Sequence, residues 1–305
     1  MKAICLRVRG GPEAFAYEEA PPPRPGEGEV LVRVHAAGVI HTELSWVPTW
    51  TTTTGGPRPL PVIPGHEFSG EIAALGAGVR DVGVGDPVYG LNDWYRDGAS
   101  AEYCVARVAD IARKPAGVDH VHAAATPISA LTAWQGLVER AGLAAGQRVL
   151  IHGAAGGVGT LAVQLARWRG ARVTGTASAA NLDFVRSLGA DEVIDYRAER
   201  FDDVVRDVDV VFDGVGGDTL ARSRAVVRPG GRLVTIAASS DGAPDQETKD
   251  AFFIVEANGA QLRELARLID AGQLRPVVDR VFPLVQARTA YEYHPQRGKA
   301  VVAVP

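Results

Sequence analysis

The stretch from Val149 to Gly159 reads VLIHGAAGGVG, an apolar run followed directly by a glycine-rich turn. The pattern predicts a buried strand that turns into a helix. Glycine at such a turn permits backbone conformations that a side chain forbids, and it lets a pyrophosphate approach N–H groups at the helix N-terminus. Of the usual Gly-x-Gly-x-x-Gly fingerprint, Ala154 occupies the first position, and Gly156 and Gly159 the other two. The stretch predicts a dinucleotide site, although such turns also occur where a helix merely packs on a strand.

The same alternation of apolar strands and helices continues on both sides of the turn, from about residue 119 to residue 258. Short runs that are apolar throughout alternate with helical patterns. Strands of this kind are buried on both faces, so the pattern predicts a parallel sheet covered by helices, which is a doubly wound α/β domain. The predicted strands are 148–152, 171–176, 192–194, 208–212 and 232–236, with a helix over 158–169 and a last edge strand over 252–255.

Residues 1–118 differ, because their short β-like runs are separated by Gly and Pro turns. Runs at 30–36, 69–78 and 101–108 predict strands of a mostly antiparallel, barrel-like domain. The segment from Trp46 to Pro61 is rich in Thr, Pro and Gly and predicts a long loop.

Residues 259–305 show no linker that would mark a third domain. Leu262, Leu265, Leu268 and Ile269 share one face of a predicted amphipathic helix. Strands are predicted at 277–282 and 300–304. We expect this segment to return to the first domain and complete it.

Composition narrows the class of protein. The chain has 305 residues, 46% of them apolar and 22% charged, which is typical of a globular protein of two domains and excludes a wholly disordered chain. No apolar run approaches the roughly 18 residues of a membrane span, and the N-terminus lacks the apolar core of a signal peptide. A net charge of −4 argues against nucleic acid as a partner. We expect a cytoplasmic protein without membrane contact.

The chain has two cysteines, Cys5 and Cys104, which lie far apart inside strand-like runs. Two cysteines cannot make a cysteine-rich zinc site. In a cytosolic protein this arrangement favours two buried thiols over a disulfide.

The end of the second strand of the doubly wound domain decides which dinucleotide is expected. A site for NADH places Asp or Glu there to bind the ribose 2′-hydroxyl. Here residues 175–181 read GTASAAN and contain no carboxylate, and Asp183 comes only after the helix has begun. Thr176 lies in this stretch, and Ser178 and Asn181 carry groups that donate hydrogen bonds to a 2′-phosphate. We therefore expect NADPH rather than NADH; the alternative is that these small residues only cap a helix.

With these features the chain resembles a known family, the zinc-independent quinone oxidoreductase (zeta-crystallin-like) branch of the medium-chain dehydrogenase/reductase superfamily. The resemblance covers nearly the whole chain. It implies a GroES-like β-rich catalytic domain over 1–118, a Rossmann doubly wound domain over 119–258, and a C-terminal return over 259–305. The motifs that carry it are PGHEFSG (64–70), GDPVYG (85–90), GASAEY (98–103), LTAW (131–134), the glycine loop, DGVGG (213–217) and GK (298–299).

The resemblance also implies cofactor contacts. Tyr196 and Lys299 match positions beside the adenosine 2′-phosphate; the alternative for Tyr196 is an ordinary half-buried strand tyrosine. Thr132 matches a residue beside the nicotinamide. Phe252 and Phe253 match a stretch that lines the cofactor cleft, and they can also be a buried edge strand that pairs across a homodimer. The expected cofactor residues are Thr132, Ala155, Gly156, Gly157, Val158, Gly159, Thr176, Ser178, Asn181, Tyr196, Gly214, Val215, Ile236, Phe252, Phe253 and Lys299.

Zinc-dependent members of the superfamily bind a catalytic zinc ion through Cys, His and a third ligand. Ile40 stands where those members have the first cysteine, and an alkyl side chain cannot bind a metal. No second cysteine occurs near Thr126. We therefore expect no metal; the alternative ligand set is His41, Glu43, His66 and Glu67.

The resemblance implies an NADPH-dependent reductase of quinones or α,β-unsaturated carbonyls, with a small molecule in the cleft between the domains. His41 and Glu43 are the candidates for proton delivery, but His41 is also interpreted as a solvated loop residue and Glu43 as a helix-start residue that completes a backbone hydrogen bond. The expected substrate pocket is His41, Trp46, Trp94 and Tyr95. Two alternatives stay open: alcohol or aldehyde dehydrogenase chemistry with an improvised zinc site, and a nucleotide-binding protein with little catalysis that serves a structural, sensing or RNA-binding role.

Overall fold

The computed structural model describes residues 1–237 and 245–305 and shows two principal sheets. The strands of the described part are β1 (Lys2–Leu6), β2 (Phe15–Glu19), β3 (Glu29–Gly38), β4 (Glu67–Leu75), β5 (Pro87–Leu91), β6 (Tyr103–Arg107), β7 (Ile111–Arg113), β8 (Arg148–His152), β9 (Arg172–Ala177), β10 (Glu192–Asp195), β11 (Val208–Asp213), β12 (Val227–Thr235), β13 (Val278–Pro283) and β14 (Lys299–Ala303). The helices are α1 (Val47–Trp50), α2 (His120–Ala124), α3 (Pro127–Trp134), α4 (Gly157–Trp168), α5 (Leu182–Ser187), α6 (Phe201–Val204), α7 (Gly217–Ser223), α8 (Gln246–Ala251), α9 (Gly259–Asp270) and α10 (Ala287–Glu292).

The predicted parallel sheet is present. Its strand order is β10-β9-β8-β11-β12, and every neighbouring pair is parallel. The chain winds outward from β8 in one direction and then crosses to β11, so the order reverses between these two strands. A doubly wound sheet binds its ligand at the carboxyl ends of the strands beside such a reversal.

The second sheet joins the first and last parts of the chain. Its order is β13-β14-β3-β4-β5-β7, with β6 also paired to β3. The pairing of β14 with β3 is antiparallel, so the C-terminal segment joins the β-rich sheet of the N-terminal part. The fold class is thus a β-rich GroES-like part together with a Rossmann parallel sheet. The boundaries at 118/119 and 258/259 stay predictions.

The prediction of a last edge strand over 252–255 is wrong. Helix α8 precedes it, and Phe252 makes only a single parallel bridge to Thr235 at the end of β12. The reason is the packing of Phe253, which is buried against Gly136 and Phe212 and takes a core position. One bridge does not propagate into a strand.

The segment from Trp46 to Pro61 is partly ordered by local hydrogen bonds. It contains α1 and a bridge between Thr51 and Pro57. Cys5 and Cys104 are both buried free thiols, and burial raises the pKa of each. In the part of the chain that the structure describes, no helix is long and apolar enough to cross a membrane.

Candidate functional site

The expected cofactor residues follow the carboxyl ends of the parallel strands, which all lie at one edge of the sheet. The glycine loop follows β8, Ser178 follows β9, Tyr196 follows β10, Gly214 and Val215 follow β11, and Ile236 follows β12. The side chain of Val215 is about half exposed and faces Gly153, where an added Cβ would lie 3.5 Å from its Cγ2. The structure therefore places these residues along one edge of the sheet, with the glycine loop, Gly214 and Val215 at the point where the strand order reverses.

The glycine loop fits a bound pyrophosphate. Gly156 is the N-cap of α4, and no side chain of the described residues caps this helix. The N–H groups of its first turn, at Gly157, Val158 and Gly159, are therefore available to an anion. An added Cβ on Gly159 would lie 2.1 Å from the carbonyl oxygen of Gly153, so this position accepts glycine alone. A twelve-residue helix also supplies the dipole that favours a negative charge at this end.

Residues 178–181 follow the carboxyl end of β9 and are called here the edge beyond β9. They contact an arginine, Arg297, that the sequence analysis missed. The Nε–H of Arg297 donates to Asn181 Oδ1 at 2.8 Å, one terminal nitrogen donates to the carbonyl of Ala180 at 3.0 Å, and the guanidinium stacks on Phe184. The amide nitrogen of Asn181 donates to Gln296 O and Ser178 Oγ. Asn181 thus positions Arg297, and its own donors are engaged by the protein. Only the tertiary fold places Arg297 here, because 116 residues separate it from Asn181 in the sequence.

Tyr196 lies beside this edge. Its N–H donates to the carbonyl of Ala177 at 3.2 Å, which places it next to Ser178. The side chain is 54% exposed, and the guanidinium of Arg197 lies over its ring. The ring is therefore exposed rather than half buried, and its contact with a nucleotide stays a prediction.

Lys299 lies in a different place from the one expected. Its ammonium group is bonded to Glu67 Oε1, and the lysine is 7% exposed. Its methylene groups cover the glycine loop, because an added Cβ on Gly157 would lie 2.8 Å from Lys299 Cγ. Lys299 therefore lies at the N-terminus of α4 and is engaged by a carboxylate, whereas Tyr196 and Ser178 mark the edge beyond β9.

The two glutamates of the alternative metal-ligand set, Glu43 and Glu67, are both buried and bonded within the protein. Glu67 Oε2 accepts a hydrogen bond from the N–H of Ile128 at 3.0 Å, in addition to the lysine bond. Glu43 Oε1 accepts from the N–H of Gly65 at 2.8 Å and from the hydroxyl of Tyr291, and its Oε2 lies 3.3 Å from His66 Nδ1. Both residues are fully buried, so the structural interpretation of Glu43 describes its position better than proton delivery does.

Tyr291 is a second residue that the sequence analysis missed. Burial raises its pKa well above the ordinary value, and the charge of Glu43 adds to this effect. The phenol therefore stays protonated and donates to Glu43. Its main-chain carbonyl accepts from His41 Nδ1 at 2.9 Å. A carbonyl cannot donate, so Nδ1 carries the proton and Nε2 of neutral His41 carries a lone pair.

Two of the four expected pocket residues lie together with His66. The ring of Trp94 packs edge-on against Trp46 at a centroid distance of 5.4 Å and lies beside His66, also at 5.4 Å. His66 is 1% exposed, and among the described residues its Nε2 has no hydrogen-bond partner. Tyr95 is more exposed, and its N–H donates to the side chain of Asp93.

The remaining expected cofactor residues are mostly engaged by their surroundings. The Thr132 hydroxyl donates to Ile128 O at 2.6 Å inside α3, and Thr176 Oγ1 lies 3.1 Å from His152 Nδ1. Ala155 accepts a hydrogen bond from the N–H of Gly298. Phe253 belongs to the core, as described above, and Phe252 is only partly buried.

The alternative metal set does not form one cluster. His41, Glu43, His66 and Glu67 do not bring three ligand atoms together, and the group of three that does so within residues 1–237 and 245–305 is His35, Glu71 and His120. Ile40, which stands where zinc-dependent members have their first cysteine ligand, is partly buried and packs against the core of the Rossmann part.

Comparisons with known proteins agree with this geometry. A family model described as an alcohol dehydrogenase GroES-like domain matches residues 26–118, and one described as a zinc-binding dehydrogenase matches residues 188–302. The chain is 33% identical over 317 residues to the NADPH-dependent alkenal/one oxidoreductase of Arabidopsis thaliana, covering 99% of this chain and 79% of that protein.

Solved structures of two kinds share the fold. The quinone oxidoreductase of Coxiella burnetii superposes with a TM-score of 0.90 at 31% identity, covering 100% of this chain and 99% of that one. An NAD-dependent alcohol dehydrogenase superposes with a TM-score of 0.87 at 30% identity, covering both chains in full. The chain therefore belongs to the quinone and enone reductase branch of the medium-chain dehydrogenase/reductase superfamily and is a nicotinamide-dependent oxidoreductase.

Proposed function

We propose that the protein is an NADPH-dependent reductase of quinones or α,β-unsaturated carbonyls that works without zinc. The observation that carries this proposal is that the carboxylates of Glu43 and Glu67 already have protein hydrogen-bond partners on both oxygens. Each carboxylate is fully buried and bonded to donors of the protein: Gly65, His66 and Tyr291 for Glu43, and Ile128 and Lys299 for Glu67. A zinc ion at this place would have to displace those donors, and the alkyl side chain of Ile40 has no atom that could bind the ion.

A reaction without a Lewis acid, as proposed, limits the substrates. A simple ketone or alcohol needs a metal to polarise its carbonyl or to stabilise an alkoxide. A quinone or enone is activated already, because conjugation spreads the negative charge that arrives with hydride. When bound, NADPH supplies that hydride, and one proton from water or from His41 completes the reduction. The rings of Trp46 and Trp94 would exclude water and position the substrate.

The choice of NADPH is supported by the edge beyond β9. That strand ends without a carboxylate that would repel a 2′-phosphate. Arg297 supplies a guanidinium there through its bond to Asn181, and Ser178 and the exposed Tyr196 follow the ends of the neighbouring strands β9 and β10. A guanidinium binds phosphate through charge-assisted hydrogen bonds, which are stronger than neutral ones.

An activity screen tests the proposal. We expect quinones or enones with NADPH to turn over at least ~100-fold better in kcat/KM than simple alcohols with NADP⁺, a transition-state difference of about 2.7 kcal/mol. The activity should persist after dialysis against a chelator. Alcohol oxidation that matches quinone reduction and is lost with the metal would overturn it.

Alcohol dehydrogenase chemistry is the second candidate, because a zinc-binding dehydrogenase model matches the chain and an alcohol dehydrogenase shares its fold. It requires a metal held through His66. His66→Gln separates the two: zinc-dependent alcohol oxidation would be lost, whereas quinone reduction would continue. Cytoplasmic location and a homodimer formed through residues 252–255, where Ile254 is 68% exposed, stay predictions.

A further inference from the structure

A second group of metal-binding side chains lies outside the site described above. His35 on β3, Glu71 on β4 and His120 at the start of α2 each offer one ligand atom, and these atoms lie within 4.8 Å of one another. The ring centroids of His35 and His120 are 4.5 Å apart, and His35 Nε2 lies 3.6 Å from Glu71 Oε2. All three residues are partly exposed, although the Nε2 atom of His35 is itself buried.

A β-bulge aims His35 at this group. Val34 pairs with Gly70, and Ala36 pairs with the adjacent Ser69, so His35 is an extra residue without a partner on β4. A bulge bends its strand and redirects the side chain of the extra residue. The Nε2 atom of His35 is shielded from water, and no described residue gives it a hydrogen bond. A polar atom left in this way is costly unless a ligand satisfies it.

Ser69 fixes the tautomer of His120. The Ser69 hydroxyl donates its single hydrogen to the carbonyl of Val88 at 3.0 Å, and its oxygen lies 2.9 Å from His120 Nδ1. Because that hydrogen is already used, Ser69 accepts from His120, and Nδ1 carries the proton. The lone pair is then on Nε2, in the form that binds a metal. A hydrogen bond that orients a ligand histidine in this way is the usual support of a metal site.

We propose that His35, Glu71 and His120 bind a divalent transition-metal ion, with Zn²⁺ as the natural probe. Two imidazoles and one carboxylate suit Zn²⁺ and its neighbours, whereas Mg²⁺ and Ca²⁺ require mainly oxygen ligands. A tetrahedral zinc ion needs ligand atoms about 3.3 Å apart, so small side-chain rotations would close the observed spacing. Water would complete the coordination at the exposed side.

Arg33 is a built-in competitor for this site. It stands opposite Glu71 in the pairing of β3 with β4, and its guanidinium donates to Glu71 Oε2 at 2.9 Å. An ion bound to Glu71 must share or displace that hydrogen bond. Removal of the arginine should therefore strengthen zinc binding, which a purely structural role for the three ligands would not produce.

The site is separate from the proposed reaction. Glu71 lies four residues along β4 from Glu67, roughly 13 Å at the rise of a strand. Zinc bound here would be found by elemental analysis without belonging to the catalytic cleft. The proposal does not depend on the substrate or on the cofactor.

Titration of the chelator-treated full chain with Zn²⁺ tests the proposal, with a chromophoric chelator as competitor. We expect one Zn²⁺ per chain with a Kd of ~10 µM or tighter, and a Tm that rises with zinc concentration. His120→Gln and Glu71→Gln should each weaken binding at least ~10-fold, which is about 1.4 kcal/mol, and Arg33→Gln should tighten it. His122→Gln is the matched control, because this exposed histidine of the same helix is paired with Asp119 outside the group.

Three results would overturn the proposal. One is no uptake at ~100 µM Zn²⁺, far above the expected Kd. Another is equal binding by the wild type and by both His120→Gln and Glu71→Gln. The third is zinc that is lost on His66→Gln but kept on His120→Gln; this would place the ion in the cleft and contradict zinc-free catalysis as well. If His120→Gln fails to fold, Glu71→Gln and Arg33→Gln decide, since their expected effects have opposite signs.

Discussion

The ammonium group of Lys299 is bonded to the carboxylate of Glu67, although 232 positions separate the two residues. Lys299 begins β14 and covers the glycine loop at Gly157, whereas Glu67 begins β4 of the β-rich sheet. This buried pair therefore joins the glycine loop to the β-rich part of the molecule. Gly38 makes room for it, because an added Cβ there would lie 2.2 Å from Glu67 Oε1. Burial lowers the pKa of Lys299, and the charge of Glu43 opposes that shift.

Removing the lysine should be strongly destabilising. Lys299→Met leaves the Glu67 carboxylate buried without its cation, which costs about 3–5 kcal/mol in the free energy of unfolding. The double variant Lys299→Met/Glu67→Gln should recover part of this loss, because it removes the charge and keeps an acceptor for the Ile128 N–H. Urea denaturation of the single and double variants measures both effects.

Lys249→Met is the control for that comparison, since Lys249 lies exposed on α8. It should change the free energy of unfolding by less than about 0.5 kcal/mol. A Lys299→Met variant as stable as the control would mean that the buried pair contributes nothing.

Arg297 should discriminate between the two nicotinamide cofactors. Replacing it with Gln removes a hydrogen bond to a charged group, so we expect the Kd of NADPH to rise at least ~10-fold, about 1.4 kcal/mol, with that of NADH nearly unchanged. Fluorescence titration with both cofactors gives the ratio. If the arginine only supports Asn181, both affinities would fall together. Arg288→Gln is the control, because Arg288 is exposed in the same C-terminal segment and paired with Glu292.

The elements predicted best from the sequence are those whose signal is local. The apolar run before Gly153 predicted β8 at its observed bounds, and the glycine pattern predicted the turn into α4. Lys299 and Arg297 show where local reasoning ends. Lys299 was expected beside the adenosine and lies under Gly157, and the position of Arg297 was not foreseen. Both are placed by long-range pairing of β14, which no periodicity in residues 296–305 encodes. The strand predicted over 252–255 is wrong for a related reason, because an apolar run can equally form a strand or place a side chain such as that of Phe253 in the core.

His152 should make the stability of the protein fall in mild acid. Its ring is buried between Thr176 and Ser223, and burial lowers its pKa to about 4. The unfolded chain takes up a proton near pH 6.5 and the folded chain only near pH 4, so stability is complete above pH 6.5 and is lost as the pH falls through this window. The loss between pH 7 and pH 5 is about 2 kcal/mol for this group.

Urea denaturation of the wild type and of His152→Gln at both pH values measures that contribution. The variant lacks the titrating ring, so its stability should fall less between pH 7 and pH 5 than that of the wild type. His122→Gln, in an exposed position, should retain the pH dependence of the wild type. Parallel pH profiles for wild type and His152→Gln would refute the assignment.

Glu43 and His41 should respond differently to substitution, although both were candidates for proton delivery. Glu43→Gln keeps the size of a side chain that is fully buried, but it alters bonds to Gly65, His66 and Tyr291. We therefore expect a lower Tm, with the kcat of the folded fraction within about tenfold of the wild type. Active-site titration with NADPH gives the folded fraction.

His41→Ala should keep most of the quinone reductase activity. The carbonyl of Tyr291 holds the proton of His41 on Nδ1, so the neutral ring offers a lone pair on Nε2 and can pass on only a proton that it first takes from water. Water can deliver the same proton directly to a reduced quinone, whose charge is already delocalised. We expect kcat to fall less than tenfold, against the ~100-fold or greater loss that removal of an obligatory general acid produces. A loss of ~1,000-fold in kcat with NADPH affinity intact would show that His41 is that acid and that the proton does not come from water.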